Sequence, residues 1–259
     1  MKTAETYQQK IKLTADYLNA SNNVLFITGA GISAESGLPT YRGIGGLYND
    51  DLTEDNMPIE EALSGYMMSL KPDITWKYIS KIEEACRGAS YNRAHAIIAE
   101  MEPHFERLFV LTQNVDGFHN DAGSVNVIDI HGNIRDLQCT NCFFRLTVAD
   151  YSELSMPPKC PDCSSVLRPD VVLFGEFLQP EKTSALYTEL EKGFDVVFSI
   201  GTSSVFPYIS GPVLEASKMG IPTIEINPAD SEISSMVTVK FSEKAGTVME
   251  DIWQAVKKD

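Results

Sequence analysis

Short apolar runs that stop at glycine, asparagine or proline alternate with helix-patterned segments, and this alternation constrains the fold more than any other feature. The apolar runs cover residues 24–28, 108–112, 125–130, 171–174, 196–200 and 222–226. Continuous apolar runs of this length are typical of strands buried on both faces of a parallel sheet. Apolar residues recur at helical spacing in residues 5–19, 74–87, 94–102, 183–191, 212–219 and 248–257. The sequence therefore predicts an α/β protein with a doubly wound, Rossmann-like parallel sheet.

Two stretches interrupt this alternation. Residues 44–102 are mostly helical in pattern, and residues 137–168 contain four cysteines and few apolar residues that a core would need. We expect both stretches to be insertions that together form a smaller second lobe. The sheet-containing domain is then predicted to comprise residues 1–43, 103–136 and 169–259.

Charge and composition exclude several classes of protein. The 259-residue chain has a formal net charge of −15, and 43% of its residues are hydrophobic. That apolar content excludes a disordered acidic tail, and the negative charge argues against direct binding of nucleic acid. No apolar run approaches the ~20 residues that span a bilayer, and no segment near the beginning resembles a signal peptide. We therefore expect a soluble cytoplasmic protein that does not bind membranes.

Four of the five cysteines form two C-x-x-C pairs. The pairs are Cys139 with Cys142 and Cys160 with Cys163, and this spacing is typical of a structural zinc site with four thiolate ligands. Two disulfides or a redox pair are the alternatives. Cys86 remains outside the pattern and is expected to be a packed thiol.

A glycine-rich segment, GAGISAESG at residues 29–37, follows the first predicted strand directly. Glycines at the end of a strand allow the backbone to approach a pyrophosphate, whose oxygens accept hydrogen bonds from amide groups. A tight turn without a ligand is the alternative. The next residues include Pro39, Tyr41 and Arg42, and an aromatic ring with a guanidinium is suited to covering a bound nucleotide.

Polar residues follow two further predicted strands. Gln113, Asn114 and Asp116 come after the second strand, and His131 comes after the third. Ligands of open α/β folds bind at the carboxyl ends of the strands, where these residues are expected. A hydrogen-bonded turn and a histidine buried in the core are the structural alternatives. Histidine suits general-base catalysis because its ordinary pKa of about 6.5 lies near operating pH.

Six ordered motifs resemble those of the sirtuins, the NAD-dependent protein-lysine deacylases. They are GAGISAESGLPTYRG at 29–43, TQNVDGFHNDAG at 112–123, DIHG at 129–132, RPDVVLFGE at 168–176, GTS at 201–203 and IN at 226–227. The resemblance runs from about residue 22 to the C-terminus. The chain departs from the usual pattern at Leu38, Tyr41 and Phe118, and it has Thr40 where most members have aspartate.

The resemblance implies a reaction and a set of site residues. NAD is a consumed co-substrate, an acyl group (chiefly acetyl) leaves a lysine side chain, and the products are nicotinamide and O-acyl-ADP-ribose. His131 is the implied general base, Asn114 and Asp116 line the nicotinamide pocket, and the four paired cysteines hold a structural zinc ion. The implied cofactor-binding residues are Gly29, Ala30, Gly31, Ile32, Ser33, Tyr41, Arg42, Gln113, Gly201, Thr202, Ser203, Asn227 and Ala245. His119 is expected to be structural, and His95 and His104 to have no role.

The substrate is implied to be an acyl-lysine peptide that lies extended beside residues 171–175. Val172 and Phe174 are expected to flank the acyl-lysine tunnel, next to Gly175. Members that remove succinyl or malonyl groups carry a Tyr-x-x-Arg pair, and Tyr78 with Lys81 is the nearest match here. An ordinary amphipathic helix with a solvated lysine is the alternative. The net charge favours peptides with basic flanks, which acidic residues at positions 50, 51, 54 and 55 would attract.

Two alternatives to chiefly deacetylating activity remain open at this point. One is a preference for succinyl- or malonyl-lysine, and the other is transfer of ADP-ribose to proteins on the same scaffold. The size of the chain and the lack of a targeting segment lead us to expect a bacterial or archaeal enzyme.

Overall fold

A computed structural model describes residues 5–38 and 52–257 of the chain. Within these ranges the α-helices are α1 (Tyr7–Ala20), α2 (Ala30–Ser33), α3 (Ile59–Ala62), α4 (Gly65–Leu70), α5 (Pro72–Cys86), α6 (Arg93–Met101), α7 (Phe118–Asp121), α8 (Pro180–Glu191), α9 (Pro207–Lys218) and α10 (Ala245–Ala255). The strands are β1 (Asn23–Thr28), β2 (Arg107–Thr112), β3 (Val127–Asp129), β4 (Gly132–Cys139), β5 (Arg145–Thr147), β6 (Leu167–Val171), β7 (Val196–Ile200), β8 (Thr223–Ile226) and β9 (Val239–Phe241).

Six parallel strands form the main sheet in the order β3-β2-β1-β7-β8-β9. The chain winds outwards from β1 in one direction and then from β7 in the other, so the order reverses between these two central strands. This confirms the predicted doubly wound sheet. Ligands of such sheets bind where the order reverses, at the carboxyl ends of the strands.

The main sheet is covered on both faces, as its apolar strands require. One core cluster packs Phe26 and Phe198 against α1, α6 and α10, and the two rings stack with centroids 4.7 Å apart. A second cluster on the other face packs Leu25 and Val197 against α8 and α9. Alternate residues of one strand therefore serve opposite cores.

Several helices begin at residues that favour a helix start. Thr6 and Gln9 form a reciprocal capping box at α1, and Asn92 with His95 forms another at α6. Proline occupies the first turn of α5, α8 and α9, where its missing N–H costs no intrahelical hydrogen bond. These signals explain why most predicted helices lie within a few residues of the observed ones.

The prediction that residues 171–174 form a strand of the parallel sheet was wrong. The strand in this region is β6, which ends at Val171 and pairs antiparallel with β4 in a separate sheet of order β5-β4-β6. An apolar run of four residues does not reveal which sheet it joins. Strand β9 was also missed, because three residues give too short a pattern.

A third core cluster belongs to a second lobe, in which both insertions meet. The indole nitrogen of Trp76 on α5 donates a hydrogen bond of 2.9 Å to the carbonyl of Leu167 on β6. Its ring packs edge-on against Tyr151, with centroids 5.4 Å apart. The buried side chains of α6, by contrast, lie in the core of the main sheet. The domain boundaries given above stay a prediction.

None of the helices within residues 5–38 and 52–257 combines the length and the apolar character needed to cross a membrane.

Candidate active site

Five loops meet at the carboxyl edge of the main sheet. They follow β1, β2, β3, β7 and β8. The first predicted site residue in each loop is, in the same order, Gly29, Gln113, His131, Gly201 and Asn227. Because β1 and β7 are neighbours, the loops that follow them lie at the point where the strand order reverses. The sheet topology thus brings residues from distant parts of the sequence to one site.

The glycine loop crosses the loop after β7 in direct backbone contact. The N–H of Gly31 donates to the carbonyl of Gly201 over 2.8 Å, and the N–H of Gly29 donates to Ile200 over 3.0 Å. A Cβ atom at Gly31 would lie 2.5 Å from the Cα of Gly201. Gly201 has a φ of +61°, a conformation that favours glycine. Gly31 and Gly201 are therefore needed for the close contact between the two loops, whether or not a ligand is bound.

The same crossing leaves amide donors for a ligand. Among the described residues, the backbone N–H groups of Ala30, Thr202 and Ser203 have no hydrogen-bond partner. Amides of this kind, next to glycines that carry no side chain, suit phosphate oxygens. The loops therefore fit the pyrophosphate of a dinucleotide. The N–H groups of Gly29, Gly31 and Ile32 bond within the protein.

Gln113 joins its own loop to the loop after β7 and to the end of β1. Its side-chain nitrogen donates to the Thr202 hydroxyl over 2.7 Å, and its backbone N–H donates to Thr28 over 3.0 Å. The side chain of Asn227 donates to the carbonyl of Thr202 over 3.0 Å. Two polar residues predicted to contact NAD thus also set the shape of the loop after β7.

Ala245 is the first residue of α10 and is buried. The N–H of the next residue, Gly246, donates to the carboxylate of Glu35 over 2.6 Å. Glu35 belongs to the glycine-rich segment, so this bond brings the start of α10 to the nucleotide side of the sheet. Tyr41 and Arg42 lie outside the described residues.

A buried network surrounds the hydroxyl of Ser33. The hydroxyl donates to Asp116 over 2.8 Å and accepts from the side-chain amide of Asn114 over 3.2 Å. His95 approaches the same hydroxyl at 3.5 Å through Nε2. Because the backbone N–H of Asn92 donates to Nδ1 of His95, its Nε2 carries the hydrogen and donates to Ser33. Both carboxamide and carboxylate are thereby fixed in orientation.

Burial sets the charge of these groups. It raises the pKa of the Asp116 carboxyl, against hydrogen bonds from Phe118 N–H and Ser33 that favour the ionised form. Burial lowers the pKa of His95 to about 4, so this imidazole is neutral at physiological pH. Desolvation also lowers the pKa of His119, whose Nε2 lies 2.9 Å from the Thr28 hydroxyl. The two buried histidines therefore serve as neutral hydrogen-bonding groups.

His131 presents one defined basic atom. Its Nδ1 lies 3.0 Å from the backbone carbonyl of Gln113, and because a carbonyl only accepts, Nδ1 carries the hydrogen. Nε2 then has the lone pair, and the Tyr208 hydroxyl lies 2.7 Å from it. Burial lowers the pKa of His131, the hydrogen bond to Gln113 opposes this shift, and the charge of Lys182 adds to it. The imidazole is therefore neutral near pH 7, as a general base must be.

The four paired cysteines come together in the second lobe. Their sulfur atoms all lie within 4.8 Å of one another, with 3.4 Å between Cys139 and Cys163 and 3.6 Å between Cys142 and Cys160. A tetrahedral zinc ion with Zn–S bonds of about 2.3 Å requires similar separations. The N–H groups of Asn141 and Cys142 point at the sulfur of Cys139. The cluster is suited to a structural zinc ion, and no disulfide joins any of the five cysteines, which all lie within the described residues.

Tyr78 and Lys81 share a face of α5 and are engaged by acidic residues. The Tyr78 hydroxyl donates to Asp55 over 2.5 Å, and the Lys81 ammonium pairs with Glu54 at 2.7 Å. Lys77 pairs with both acids. Reading of an acyl carboxylate by Tyr78 and Lys81 stays a prediction. Glu54 and Asp55, expected to attract basic peptides, are neutralised by these lysines, and positions 50 and 51 lie outside the described ranges.

Residues 172–175 form an irregular segment beside His131. The N–H of Val172 donates to the His131 carbonyl over 2.9 Å, and Phe174 exchanges backbone hydrogen bonds with Leu63 and Gly65. The Phe174 ring is 43% exposed. In the described part of the chain, the backbone groups of Gly175 have no partner. The segment is thus held by backbone hydrogen bonds at Val172 and Phe174, whereas the backbone groups of Gly175 remain available to a ligand.

Sequence reasoning missed two residues of the site. His95 contacts Ser33, although we expected it to have no role; its place in the Asn92-x-x-His95 capping box was the available signal. Tyr208 contacts His131 from the first turn of α9, and no motif in the sequence marks it.

Comparison with known proteins identifies the family to which this chain belongs. The Sir2 family profile matches residues 29–207. The NAD-dependent protein deacylase 2 of Pseudomonas aeruginosa is 44% identical over 93% of this chain and 95% of that protein. The NAD-dependent protein deacylase 1 of Caldanaerobacter subterraneus subsp. tengcongensis is 38% identical over 91% of this chain and 99% of that protein.

Solved structures agree in fold. A Sir2 homologue mutant bound to ADP-ribose aligns with a TM-score of 0.84 at 34% identity, over 93% of this chain and 94% of that one. A Sir2 complex with a p53 peptide and NAD aligns with a TM-score of 0.81 at 26% identity, over 94% of this chain and 97% of that one. Together with the carboxyl-edge site and the four-cysteine cluster, these matches show that the chain is a member of the Sir2 family, the sirtuins, and an NAD-dependent protein deacylase.

Proposed function

We propose that the enzyme removes chiefly acetyl groups and that His131 is the general base. The observation that carries the role of His131 is its Nδ1 contact with the Gln113 carbonyl, which leaves Nε2 as the basic atom. Bound NAD supplies the anomeric carbon that the acyl oxygen attacks as nicotinamide leaves. His131 then accepts a proton at Nε2 from a hydroxyl of the same ribose.

Asn114 and Asp116 are proposed to hold the nicotinamide carboxamide. A primary amide offers two N–H donors and one carbonyl acceptor, and an ionised aspartate with an asparagine complements both. The hydroxyl of Ser33 is hydrogen-bonded to both residues. Both side chains are therefore already held in place before the ligand binds. Ile32 is proposed to contact the same group through its backbone.

The dinucleotide is proposed to lie across the crossing of the two loops. The free amides of Ala30, Thr202 and Ser203 bind the phosphates, between Gly29 and Gly31 on one side and Gly201 on the other. Gln113 binds the nicotinamide ribose. Asn227 binds the adenosine ribose, and Ala245 packs near the adenine. Tyr41 and Arg42 remain proposed contacts on the basis of their motif alone.

The acyl-lysine peptide is proposed to add as a strand between Gly175 and Val205. Both residues are exposed and have free backbone groups among the residues described, and strand addition binds through such groups whatever the peptide's side chains are. Val172 and Phe174 flank the lysine tunnel. Basic flanks are proposed from the net charge of −15, which attracts cationic peptides at low salt.

The preference for acetyl over acidic acyl groups is supported by the charges around Tyr78. We call this group the Tyr78 cluster; it comprises Glu54, Asp55, Lys77, Tyr78 and Lys81. The two lysines and two carboxylates there cancel, and Lys81 is held by Glu54. A succinyl or malonyl carboxylate would have to replace Glu54 or Asp55 at these cations, whereas an acetyl group requires no cation.

One assay tests the proposed function. The purified protein is incubated with NAD and acetyl-, succinyl- or malonyl-lysine peptides, and nicotinamide and the peptide masses are followed. We expect equal amounts of nicotinamide and deacylated peptide, formed fastest from the acetyl peptide. Nicotinamide release with ADP-ribose attached to protein would instead identify an ADP-ribosyltransferase, and faster loss of succinyl would refute the acetyl preference.

A cytoplasmic location is also our proposal. It is supported by the lack of a disulfide among the five cysteines, all of which lie within the described residues, since disulfides are rare in the reducing cytosol. Fractionation of the producing cells tests it, since activity recovered mainly from a compartment other than the cytosol would contradict it.

A further inference from the structure

The lone pair of the general base is already occupied in this structure. The Tyr208 hydroxyl lies 2.7 Å from Nε2 of His131. Nδ1 carries the imidazole hydrogen, so Nε2 accepts and the tyrosine donates. Burial raises the pKa of Tyr208 to about 12, so the phenol keeps its proton. Each neutral imidazole has a single acceptor lone pair, and Tyr208 takes it.

We propose that Tyr208 is a positioning residue of the base: its hydroxyl holds Nε2 of His131 until a substrate hydroxyl replaces it. This inference rests on the proposed role of His131. While the tyrosine donates, Nε2 has no lone pair with which to accept another proton. Binding of the ribose hydroxyl exchanges one donor for another at the same nitrogen. The imidazole thus keeps its tautomer and its direction between turnovers.

Tyr208 lies between a core cluster and the partly exposed ring of Phe206. The residue lies in the first turn of α9, next to the fully buried Ile209, which anchors the backbone. Its ring stacks on Phe206, with centroids 5.4 Å apart and planes at 13°, and the Phe206 ring is 43% exposed. The tyrosine ring also packs against the core cluster that contains Leu25 and Val197. The proposed exchange therefore moves the hydroxyl away from Nε2 while the backbone stays anchored at Ile209.

Among the residues that the structure describes, few other ionisable groups face His131. Lys182 of α8 acts on it through its charge and pairs with Asp129 of β3 at 2.8 Å. Gln113 of the loop after β2 contributes a neutral carbonyl, and residue 172 after β6 a backbone N–H. Tyr208 of α9 contributes the hydroxyl. A hydrogen bond donated to the neutral imidazole favours that form, so removing the hydroxyl should raise the pKa of His131.

The test is Tyr208→Phe, with Tyr187→Phe as the matched control because Tyr187 is an exposed tyrosine on α8. The pKa of His131 in the free enzyme is measured by NMR titration, with its signals assigned by their loss in His131→Gln. We expect the pKa to rise by about half to one pH unit in Tyr208→Phe. The KM for NAD should fall about two- to tenfold, because binding no longer breaks a hydrogen bond. The kcat should stay within about threefold of the wild-type value.

Two results would overturn the inference. An unchanged pKa of His131 together with an unchanged KM would mean that Tyr208 only packs against the ring. A fall in kcat of about a hundredfold would mean that the phenol itself passes the proton to Nε2. Failure of the proposed function is distinguished from both results by His131→Gln, because full activity of that variant would refute the role of His131 as the base.

Discussion

The backbone N–H of Gly31 donates a 2.8 Å hydrogen bond to the carbonyl of Gly201, joining the loops that follow the two central strands. This bond crosses the point where the strand order of the main sheet reverses. It leaves the neighbouring amides of Ala30, Thr202 and Ser203 for a ligand. The geometry of the proposed phosphate site therefore depends on two glycines that are 170 residues apart in sequence (201 − 31).

Replacing Gly201 by alanine should damage both folding and NAD binding. Gly201 has a φ of +61°, and a Cβ there would overlap the backbone of Gly31 and Ile32. We expect a loss of about 3 kcal/mol of unfolding free energy or more, at the upper end of the range for overpacked sites. Thermal unfolding and NAD titration measure the two effects. Gly220→Ala is the control, because Gly220 has a φ of +76° with open space around it and should lose only about 1 kcal/mol. Equal effects of the two substitutions would contradict the claim that the contact between the two loops leaves no space for a side chain at Gly201.

Asp116→Asn should separate stability from activity. Burial raises the pKa of this carboxyl, so ionisation opposes folding, and the protein loses stability as pH rises from the ordinary aspartate pKa through the raised value. Removing the charge should leave the Tm at pH 7 unchanged or higher. Nicotinamide exchange should fall about a hundredfold, as for other positioned polar groups. A lower Tm with normal exchange would contradict this account of Asp116.

Zinc should be bound by four cysteines and not by the fifth. We expect one zinc ion per wild-type chain, measured by elemental analysis, and a loss of that ion in Cys160→Ser. Cys160 lies in the core of the second lobe, so losing the metal should lower the Tm by about 10 °C. Cys86→Ser should keep the zinc. Retention of zinc by Cys160→Ser would show that the cluster is assembled differently.

Glu54→Gln should weaken the preference against acidic acyl groups. Glu54 pairs with Lys81 and Lys77, and its neutralisation leaves the cluster with a net positive charge. The ratio of desuccinylation to deacetylation should rise about two- to tenfold, because a single exposed charge interaction has a small effect. Glu61→Gln, an exposed carboxylate on α3, serves as the control. An unchanged ratio in Glu54→Gln would remove this cluster from the acyl site.

The sequence was sufficient for five of the six strands of the main sheet and for most of the loops of the site. Apolar runs such as residues 196–200 mark buried strands directly, and parallel strands bring their carboxyl ends to one edge. The sequence alone therefore predicts that Gly29, Gln113 and His131 belong to one site. The two C-x-x-C pairs were equally informative, because their spacing reflects the geometry of one metal ion.

Contacts that depend on tertiary packing could not be predicted in the same way. The residues from 171 to 174 have the composition of a strand, yet Val171 pairs with Gly132 in the second sheet. Tyr208 reaches His131 because α9 begins beside the loop after β3, and no local pattern encodes that proximity. The sequence predicts that Lys81 can attract a carboxylate, and in the folded chain Glu54, 27 residues earlier, already provides one. Such partners become visible only when the chain is folded.

The most direct test of the central claim compares two reactions of His131→Ala. The general base acts only after nicotinamide has left, so the variant should retain nicotinamide exchange with an acetyl-lysine peptide and NAD. Formation of deacetylated peptide should fall by about a hundredfold or more, the usual contribution of a general base. The account predicts this separation of exchange from deacetylation. Deacetylation within a few-fold of the wild-type rate would contradict it.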